Sequence, residues 1–566
     1  MNHERSRSLT AGDQSAPSPR RGVAQLASST KNDPSFASCQ QSGLIALLAG
    51  PESATSPAIE AATPHRQGRR SFHLTHRRLL AGILILQAGL SVRLVWANTA
   101  FEDEANYLYT GHLEWAHWLH GATSPTLTAF PTWLSGAPVV YPPLGAIADS
   151  LGGLAGARLL SLCFMLGASL CLYETTRRLL DRNAALFAVL CFAVLASTQL
   201  LGAFATYDPM AIFLMAFGTW LGVRAADAGM FARVPLLAGS GTMLALACAA
   251  KYATALWVPA ALAVSAIAAW QACRFRTGVI TCIVLSAWWA ILIAGALKFA
   301  GTLYMKGILF TTLARATSAE SPLLVLNQSF GLIWILIILS FLAVLASFSA
   351  SRSVRAICVC TTVAGLLAPL NEARLHTTTS LWKHADFGAW FAAIAAGYLL
   401  ARLAKIDARP AWSAVLVGVV AVSLAGSVHY ATTMAVRWWP NSAGMIKALS
   451  FVRPSTGPIW MNAYMVGDYY LHDQVYPGQI SGIGFNFPWW DSARRTEITG
   501  APAVVLAIKS RYFAVIEIDG QAATPAEYEA ALRQIPQTPG YQLIYKKPWT
   551  YHGDRFYEEV WKRVNA

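Results

Sequence analysis

The chain has 566 residues, 55% of them hydrophobic and 13% charged, with a mean hydropathy of +0.42. Soluble domains carry roughly twice that share of charge, so the composition excludes a soluble protein and points to an integral membrane one. The formal net charge is +14, but the basic residues stand singly or in pairs between apolar runs, or in the N-terminal tail. That distribution marks cytoplasmic loops rather than a nucleic-acid surface.

Residues 1–75 are rich in Ser, Ala, Pro, Gln and Arg and lack periodicity, which predicts a disordered basic cytoplasmic tail. The apolar stretch Leu44–Ala49 within it is too short to span a bilayer. No cleaved signal peptide is expected, because the first long apolar run begins near Leu79. Arg69, Arg70, Arg77 and Arg78 precede that run and are expected to hold the N-terminus in the cytoplasm.

Apolar spans follow near 79–97, 153–174, 184–204, 209–224, 234–250, 253–271, 278–299, 323–348, 354–370, 387–403 and 411–429, about eleven in all. The expected fold class is an all-α polytopic membrane protein over residues 76–430. Basic turns recur at alternate ends: Arg177, Arg178 and Arg182; Arg224 and Arg233; Arg274 and Arg276; Arg352 and Arg355; Arg402, Lys405 and Arg409. They predict a cell-membrane protein with its N-terminus inside and its C-terminal segment outside.

Residues 431–566 change character. β-rich runs at Ile459–Met461, Val504–Ile508, Phe513–Ile518 and Tyr541–Tyr545, with a helical stretch near Pro525–Gln534, predict a small extracytoplasmic α/β domain. The pairs Trp438-Trp439 and Trp489-Trp490 read as interfacial anchors or core, or as a sugar-binding surface. The nine cysteines include Cys39 in the tail, and the rest lie in or beside apolar spans. No CxxC or Cys/His spacing suggests a metal centre, and no disulfide framework is expected.

The chemistry-bearing residues converge on one membrane face. Glu102, Asp103 and Glu104 follow the first span and open a first outer loop, 99–145, rich in Trp, His and Tyr. Asp208 lies sixteen residues before Arg224, about 24 Å of helix, and Lys251 lies eighteen after Arg233, about 27 Å, so both belong to the face opposite the basic turns. Lys306, Arg315, Arg374, His376, Lys383 and His384 fall between outer span ends. Each has a plain alternative: Asp208 as a helix N-cap, Lys251 snorkelling to the headgroups, Glu102–Glu104 as a solvated loop. His112, His117 and His120 read as surface residues or, with an acid such as Asp103, as ligands of a divalent ion.

Together these groups suit transfer from a polyprenyl-phosphate donor, which needs a carboxylate to deprotonate the acceptor and cations to hold the leaving phosphate. Asp103 and Asp208 are the acid candidates; Lys251, Arg315, Arg374, Lys383 and His384 are the phosphate candidates. A transporter would instead carry charge near the bilayer midplane.

The motifs Asp103-Glu104-Ala105-Asn106-Tyr107, Tyr141-Pro142-Pro143-Leu144, Gly156-Ala157-Arg158-Leu159-Leu160-Ser161, Arg177-Arg178-Leu179-Leu180 and Ala205-Thr206-Tyr207-Asp208-Pro209-Met210, with Lys251 and Pro259, resemble those of GT-C glycosyltransferases. The likeness is to the protein O-mannosyltransferase and aminoarabinose-transferase type, glycosyltransferase family 39, over residues 79–270. It implies a GT-C bundle and inverting transfer from a lipid-phosphate-linked sugar to a glycan, lipid or protein acceptor outside the membrane. By that match Asp103 is a general base or metal-linked acid, Glu104 its neighbour and Asp208 a second site acid, with Tyr107, Tyr141, Tyr207 and His376 lining the substrate. Relatives often carry Lys where Tyr141 stands, so Lys383-His384, at a helix start whose backbone N–H groups favour anions, is the expected substitute. The alternative function is a non-enzymatic flippase of lipid-linked sugars, or a scaffold whose acids only cap helices.

Overall fold

The computed structural model describes residues 67–315, 317–405, 410–482, 487–519, 532–551 and 554–564. The expected tail up to residue 66, and all but the end of the helix expected at 525–534, lie outside the described residues. Helix α1 (Gln67–Val95) is followed by α2 (Glu102–His120) and the short α3 (Pro125–Ala129). The long α4 (Pro142–Leu179), α5 (Arg182–Ala193), α6 (Ala196–Leu201), α7 (Tyr207–Ala225), α8 (Met230–Ala250), α9 (Val258–Ala272), α10 (Phe275–Thr311), α11 (Pro322–Ala346), α12 (Arg352–Leu375), α13 (Leu381–Leu403) and α14 (Pro410–Arg437) complete the bundle.

Every expected span falls on helix. Six helices among the described residues are long and apolar enough to cross a membrane: Thr75–Val95, Pro142–Leu179, Met230–Ala250, Phe275–Thr311, Pro322–Ser349 and Arg352–Leu375. The remaining expected spans fall on α5 with α6, α7, α9, α13 and α14. The span expected at 184–204 is two helices because the chain turns extended at Leu195, the N-cap of α6. Two segments expected as loops are helical instead. Residues 102–120 form α2, whose three leading acids sit in its first turn, where the helix dipole favours negative charge. The segment between the expected spans 278–299 and 323–348 is helix as far as Thr311, bent at Gly301, whose φ of 71° only glycine adopts readily.

At the centre lies α13, an Ala- and aromatic-rich helix buried nearly all round and packed by α5, α11 and α12. The lone charge of the first span, Arg93, ties three helices together. Its guanidinium donates to Gln199 Oε1 on α6 at 2.7 Å and Thr432 Oγ1 on α14 at 2.5 Å, a polar junction of the kind that holds helices in lipid.

The basic turns gather at one end of the bundle. Arg178, after α4, forms an ion pair with Asp227, after α7, and Lys405, after α13, pairs with Asp181 at 2.9 Å. Asp208 and Lys251 stand at the far ends of α7 and α8 from Arg224 and Arg233.

Beyond α14 come α15 (Ala443–Ala448), β1 (Ile459–Met461), α16 (Tyr464–Leu471), β2 (Ile480–Ser481), β3 (Pro488–Asp491), β4 (Thr496–Thr499), α17 (Ala501–Lys509), β5 (Val515–Ile518), β6 (Tyr541–Tyr551) and β7 (Asp554–Arg563). Five strands form a sheet in the order β2-β1-β5-β7-β6, parallel across β2, β1 and β5 and antiparallel thereafter; β3 and β4 make a separate hairpin. The run Val504–Ile508, expected as a strand, is helix. Pro502 occupies its first turn, and Ala501, Val504, Ala507 and Ile508 repeat at helical spacing on the buried side.

The domain docks on the bundle through α16. Asp149 of α4 accepts from Tyr469 OH at 2.6 Å and meets His112 Nε2 of α2 at 2.8 Å. Trp439 is buried against Phe101 and Phe204, with ring centroids 5.2 and 5.4 Å away, so it is core. Trp489 packs edge-on against Tyr512, and Trp490 is exposed.

Candidate active site

Four segments deliver charged side chains to one cavity of about 290 Å³. From the first turn of α2 comes Asp103, one-third exposed, whose Oδ2 is ion-paired with Lys383 Nζ. Lys383 belongs to the first turn of α13, and its ammonium also lies over the rings of Trp382 and Phe101, 5.4 and 5.7 Å from the centroids. Behind the cavity wall, in the first turn of α7, Asp208 is fully buried, with Oδ1 paired to Lys251 Nζ and Oδ2 unpartnered among the described residues. Thr206, not Asp208, occupies the N-cap, so the capping alternative for Asp208 does not hold.

Lys251 is 2% exposed and does not snorkel. The helix ends there: its backbone is extended and a short 3-10 turn follows. A backbone clamp fixes that geometry. Tyr252 N–H donates to Ser135 O, and Ala137 N–H to Ala249 O, both at 2.8 Å. Between them Gly136 passes so close that a Cβ would sit 2.1 Å from Ala250 O, so no larger residue fits without moving backbone.

Tyr107 and Tyr207 stack at 4.3 Å, and the ammonium of Lys251 lies 5.0 Å from the centre of the Tyr207 ring. Arg315 and His384 complete the wall, and Ser135, Ser380 and Trp133 line it without having been singled out in the sequence. Their short polar or aromatic side chains in a loop or at a helix cap gave no pattern to find.

Other expected residues lie elsewhere. Glu104 is fully buried behind the cavity and saturated: Oε1 accepts from Arg158 Nε at 2.8 Å and Ala205 N at 2.7 Å, Oε2 from Arg158 Nη2 at 2.7 Å and Phe101 N at 2.9 Å. It positions the start of α2 and has no oxygen left for chemistry, which corrects its expected catalytic role. Arg158 is equally engaged, its remaining N–H groups donating to Val95 O, Asn98 O and Thr99 O. A second cavity of about 300 Å³ opens beside Arg158 and therefore meets a cation with no free donor.

Tyr141 is fully buried and does not line the site cavity, so it is structural rather than substrate-lining. Arg374 is exposed and bonds Asn371 Oδ1 at 3.1 Å, away from the cavity. His376 caps α12 in a left-handed conformation (φ 54°) and bonds Glu320 O at 2.9 Å; it braces the rim rather than lining the site. The N–H groups of Lys383 and His384 both bond Ser380 O, so they are not available to an anion; only their side chains are.

Glu372 was missed. It lies in the last turn of α12 and is fully buried, its Oε1 bonded to His384 Nδ1 and 3.9 Å from Arg315 Nη1. Nothing in the run Asn371-Glu372-Ala373 foretold a partner across the following turn.

The expected metal ligands do not assemble. His112 pairs with Asp149, His117 Nδ1 bonds Ala122 O at 2.9 Å, and Asp103 holds an ammonium. Among the described residues no group of three His, Cys, Asp or Glu side chains has a metal-binding arrangement. The donor set does not fit a divalent ion.

Residues 146–297, from α4 into α10, match the family described as dolichyl-phosphate-mannose-protein mannosyltransferase. That stretch contains Asp208 and Lys251 but neither Asp103 nor Lys383. No curated protein matches the chain. Among solved structures, ArnT from Cupriavidus metallidurans bound to undecaprenyl phosphate aligns with a TM-score of 0.52 at 14% identity, over 86% of this chain and 98% of that one. The archaeal oligosaccharyltransferase AglB from Archaeoglobus fulgidus, in complex with an inhibitory peptide and a dolichol-phosphate, aligns with a TM-score of 0.50 at 12% identity, over 87% of this chain and 74% of that one. At these identities the likeness shows the fold: the chain has the GT-C architecture its sequence suggested, with a C-terminal α/β domain.

Proposed function

We propose that the protein is a membrane glycosyltransferase that moves a sugar from a polyprenyl-phosphate-linked donor to an extracytoplasmic acceptor, with inversion at the anomeric carbon. One observation carries the proposal: a single cavity is lined by Asp103, Lys383, Lys251, Arg315 and His384, with Asp103 paired to Lys383 and Lys251 held from behind by the buried Asp208. A phosphate entering such a cavity competes for the lysines. A carboxylate that loses its lysine to the phosphate regains the basicity that the ion pair suppressed.

Donor binding thus arms the acid. Asp103, the more exposed of the two, takes the acceptor proton as the acceptor oxygen bonds the anomeric carbon. The bond from that carbon to the phosphate oxygen breaks, and its electron pair stays on the phosphate. The departing phosphomonoester gains a negative charge, which Lys383, Lys251 and Arg315 face. Asp208 keeps Lys251 over Tyr207, and the stacked Tyr107 and Tyr207 form an apolar wall for the sugar or the first carrier units.

The match to the mannosyltransferase family and the carrier phosphates present in the ArnT and AglB structures support this donor class. The clustering of basic turns at the end of the bundle opposite the cavity supports a cytoplasmic N-terminus and an extracytoplasmic site. Mass spectrometry of envelope glycans tests the proposal. A deletion strain should lack one sugar, the wild-type chain should restore it, and Asp103→Asn, expressed at the same level, should not. An unchanged glycan profile in the deletion strain would count against transfer.

A further inference from the structure

Glu372 lies behind the cavity wall rather than in it and touches none of the transferring atoms. Its burial is complete in a helix otherwise apolar from Ile357 to Ala368, apart from hydroxyl and thiol groups. A carboxylate so placed is expensive unless it is tied to cations and hydrogen-bond donors. Its partners are both members of the cavity wall: His384, bonded through Nδ1, and Arg315, 3.9 Å away. They come from different elements, α13 and the segment after α10. Among the described residues Glu372 Oε2 has no partner, so the arrangement turns on Oε1.

The bond at Nδ1 decides what His384 can do. With Nδ1–H donated to a carboxylate, the ring has one orientation, and its second nitrogen carries any further proton. His384 Nε2 has no protein partner among the described residues, and the ring lines the cavity. Charged groups surround it on every side: Glu372 from α12, Asp208 from α7, Lys251 beyond α8, Arg315 beyond α10 and Lys383 beside it on α13. An arriving phosphate adds negative charge to this set and favours the doubly protonated ring.

We propose, resting on the donor-phosphate reading above, that Glu372 is a positioning residue, which holds His384 so that Nε2–H is offered to the phosphate oxygen released from the sugar. As the bond from the anomeric carbon to that oxygen breaks, the oxygen takes the Nε2 proton. The ring is left neutral with Nδ1–H still on Glu372, and the phosphomonoester departs as a monoanion. A phosphomonoester binds its last proton near about pH 6, so the oxygen released from the sugar can hold the proton that Nε2 gives up.

The test uses the full-length protein in detergent and farnesyl phosphate as probe, with affinity measured across pH. Wild-type affinity should fall as pH rises through the titration of the ring–phosphate pair. Glu372→Gln should weaken binding at neutral pH about tenfold, the value of one hydrogen bond to a charged group, and move the midpoint to lower pH. His384→Gln should weaken it similarly and flatten that limb of the profile. The double variant should bind about as well as either single one, because both remove the same interaction. Wild-type affinity and profile in Glu372→Gln, or losses that add in the double variant, would overturn the proposal.

If Glu372→Gln does not fold, Glu372→Asp replaces it in the same cycle. The shorter side chain should weaken binding only when His384 is present, and an equal loss in the His384→Gln background would overturn the proposal. Lys383→Ala separates this inference from its premise: if that variant binds farnesyl phosphate as well as wild type, the donor-phosphate reading itself fails.

Discussion

Asp103 and Glu104 are consecutive residues in the first turn of α2, yet they belong to opposite kinds of polar network. Glu104 and Arg158 form a closed one: both carboxylate oxygens and all the guanidinium N–H groups are engaged, out of reach of solvent. Asp103 and Lys383 form an open one, with one ion pair among the described residues, a carboxylate one-third exposed and a cavity in front of it. Helical geometry makes the difference, because adjacent residues point about 100° apart around the axis. Position next to a catalytic acid therefore says little about sharing its role. Saturation holds structure, and incomplete satisfaction leaves a group able to exchange partners with a ligand.

The largest effect should come from breaking the closed network. Glu104→Ala strands a buried guanidinium and should destabilise the protein by about 3–5 kcal/mol, seen as loss of folded protein in detergent or a large drop in thermal midpoint. A Glu104→Ala variant with wild-type thermal stability would remove the contrast with Asp103.

The open network should respond in binding instead. Lys383→Ala should leave the thermal midpoint within a few degrees of wild type and weaken affinity for a polyprenyl phosphate by about 10- to 100-fold, the range for one charge-assisted contact. A large fall in stability with unchanged affinity would place Lys383 with the structural pairs.

A third arrangement sharpens the comparison at smaller scale. In the C-terminal sheet Glu517 and Glu558 are buried with hydrogen bonds, from Ala463 N at 3.1 Å and Tyr545 OH at 3.1 Å, but no ion pair among the described residues. Burial pushes the Glu558 carboxyl up to about 7 and raises that of Glu517 well above its ordinary value, with Asp519 adding to both. The folded state then holds protons that the unfolded state has released from about pH 4.5 upward. Stability therefore falls as pH rises from that point through about 7. The thermal midpoint followed by tryptophan fluorescence should be higher at pH 5.5 than at pH 7.5, and Glu558→Gln should shrink the difference. A midpoint that rises with pH over that range would contradict the assignment.

Much of this was legible in the sequence because charge is rare in apolar spans. Asp208 and Lys251 could be placed on one face by counting helical rise from the basic turns, and Asp103, Lys383 and His384 by lying at outer span ends; that face is where the cavity lies. Residues whose roles depend on a partner far along the chain could not be read that way. Glu372 needed the turn at His376 to bring α13 beside it, and Glu104 looked like Asp103 until Arg158, 54 residues later, was seen against it. Local pattern misled at Val504–Ile508, where β-branched composition outweighed the helical spacing of the buried positions. The α2 acids suggested a loop because the helix they begin is rich in polar and aromatic residues.

The central claim is that the open pair performs the chemistry while its neighbour holds the fold. It is tested most directly by assaying Asp103→Asn for sugar transfer in membranes and, on the same preparation, for thermal stability. The account predicts a fall in transfer of about 10²- to 10⁴-fold, the usual contribution of a general base, with the thermal midpoint unchanged to within a few degrees. Transfer at the wild-type rate, or a loss explained by unfolding, would contradict it.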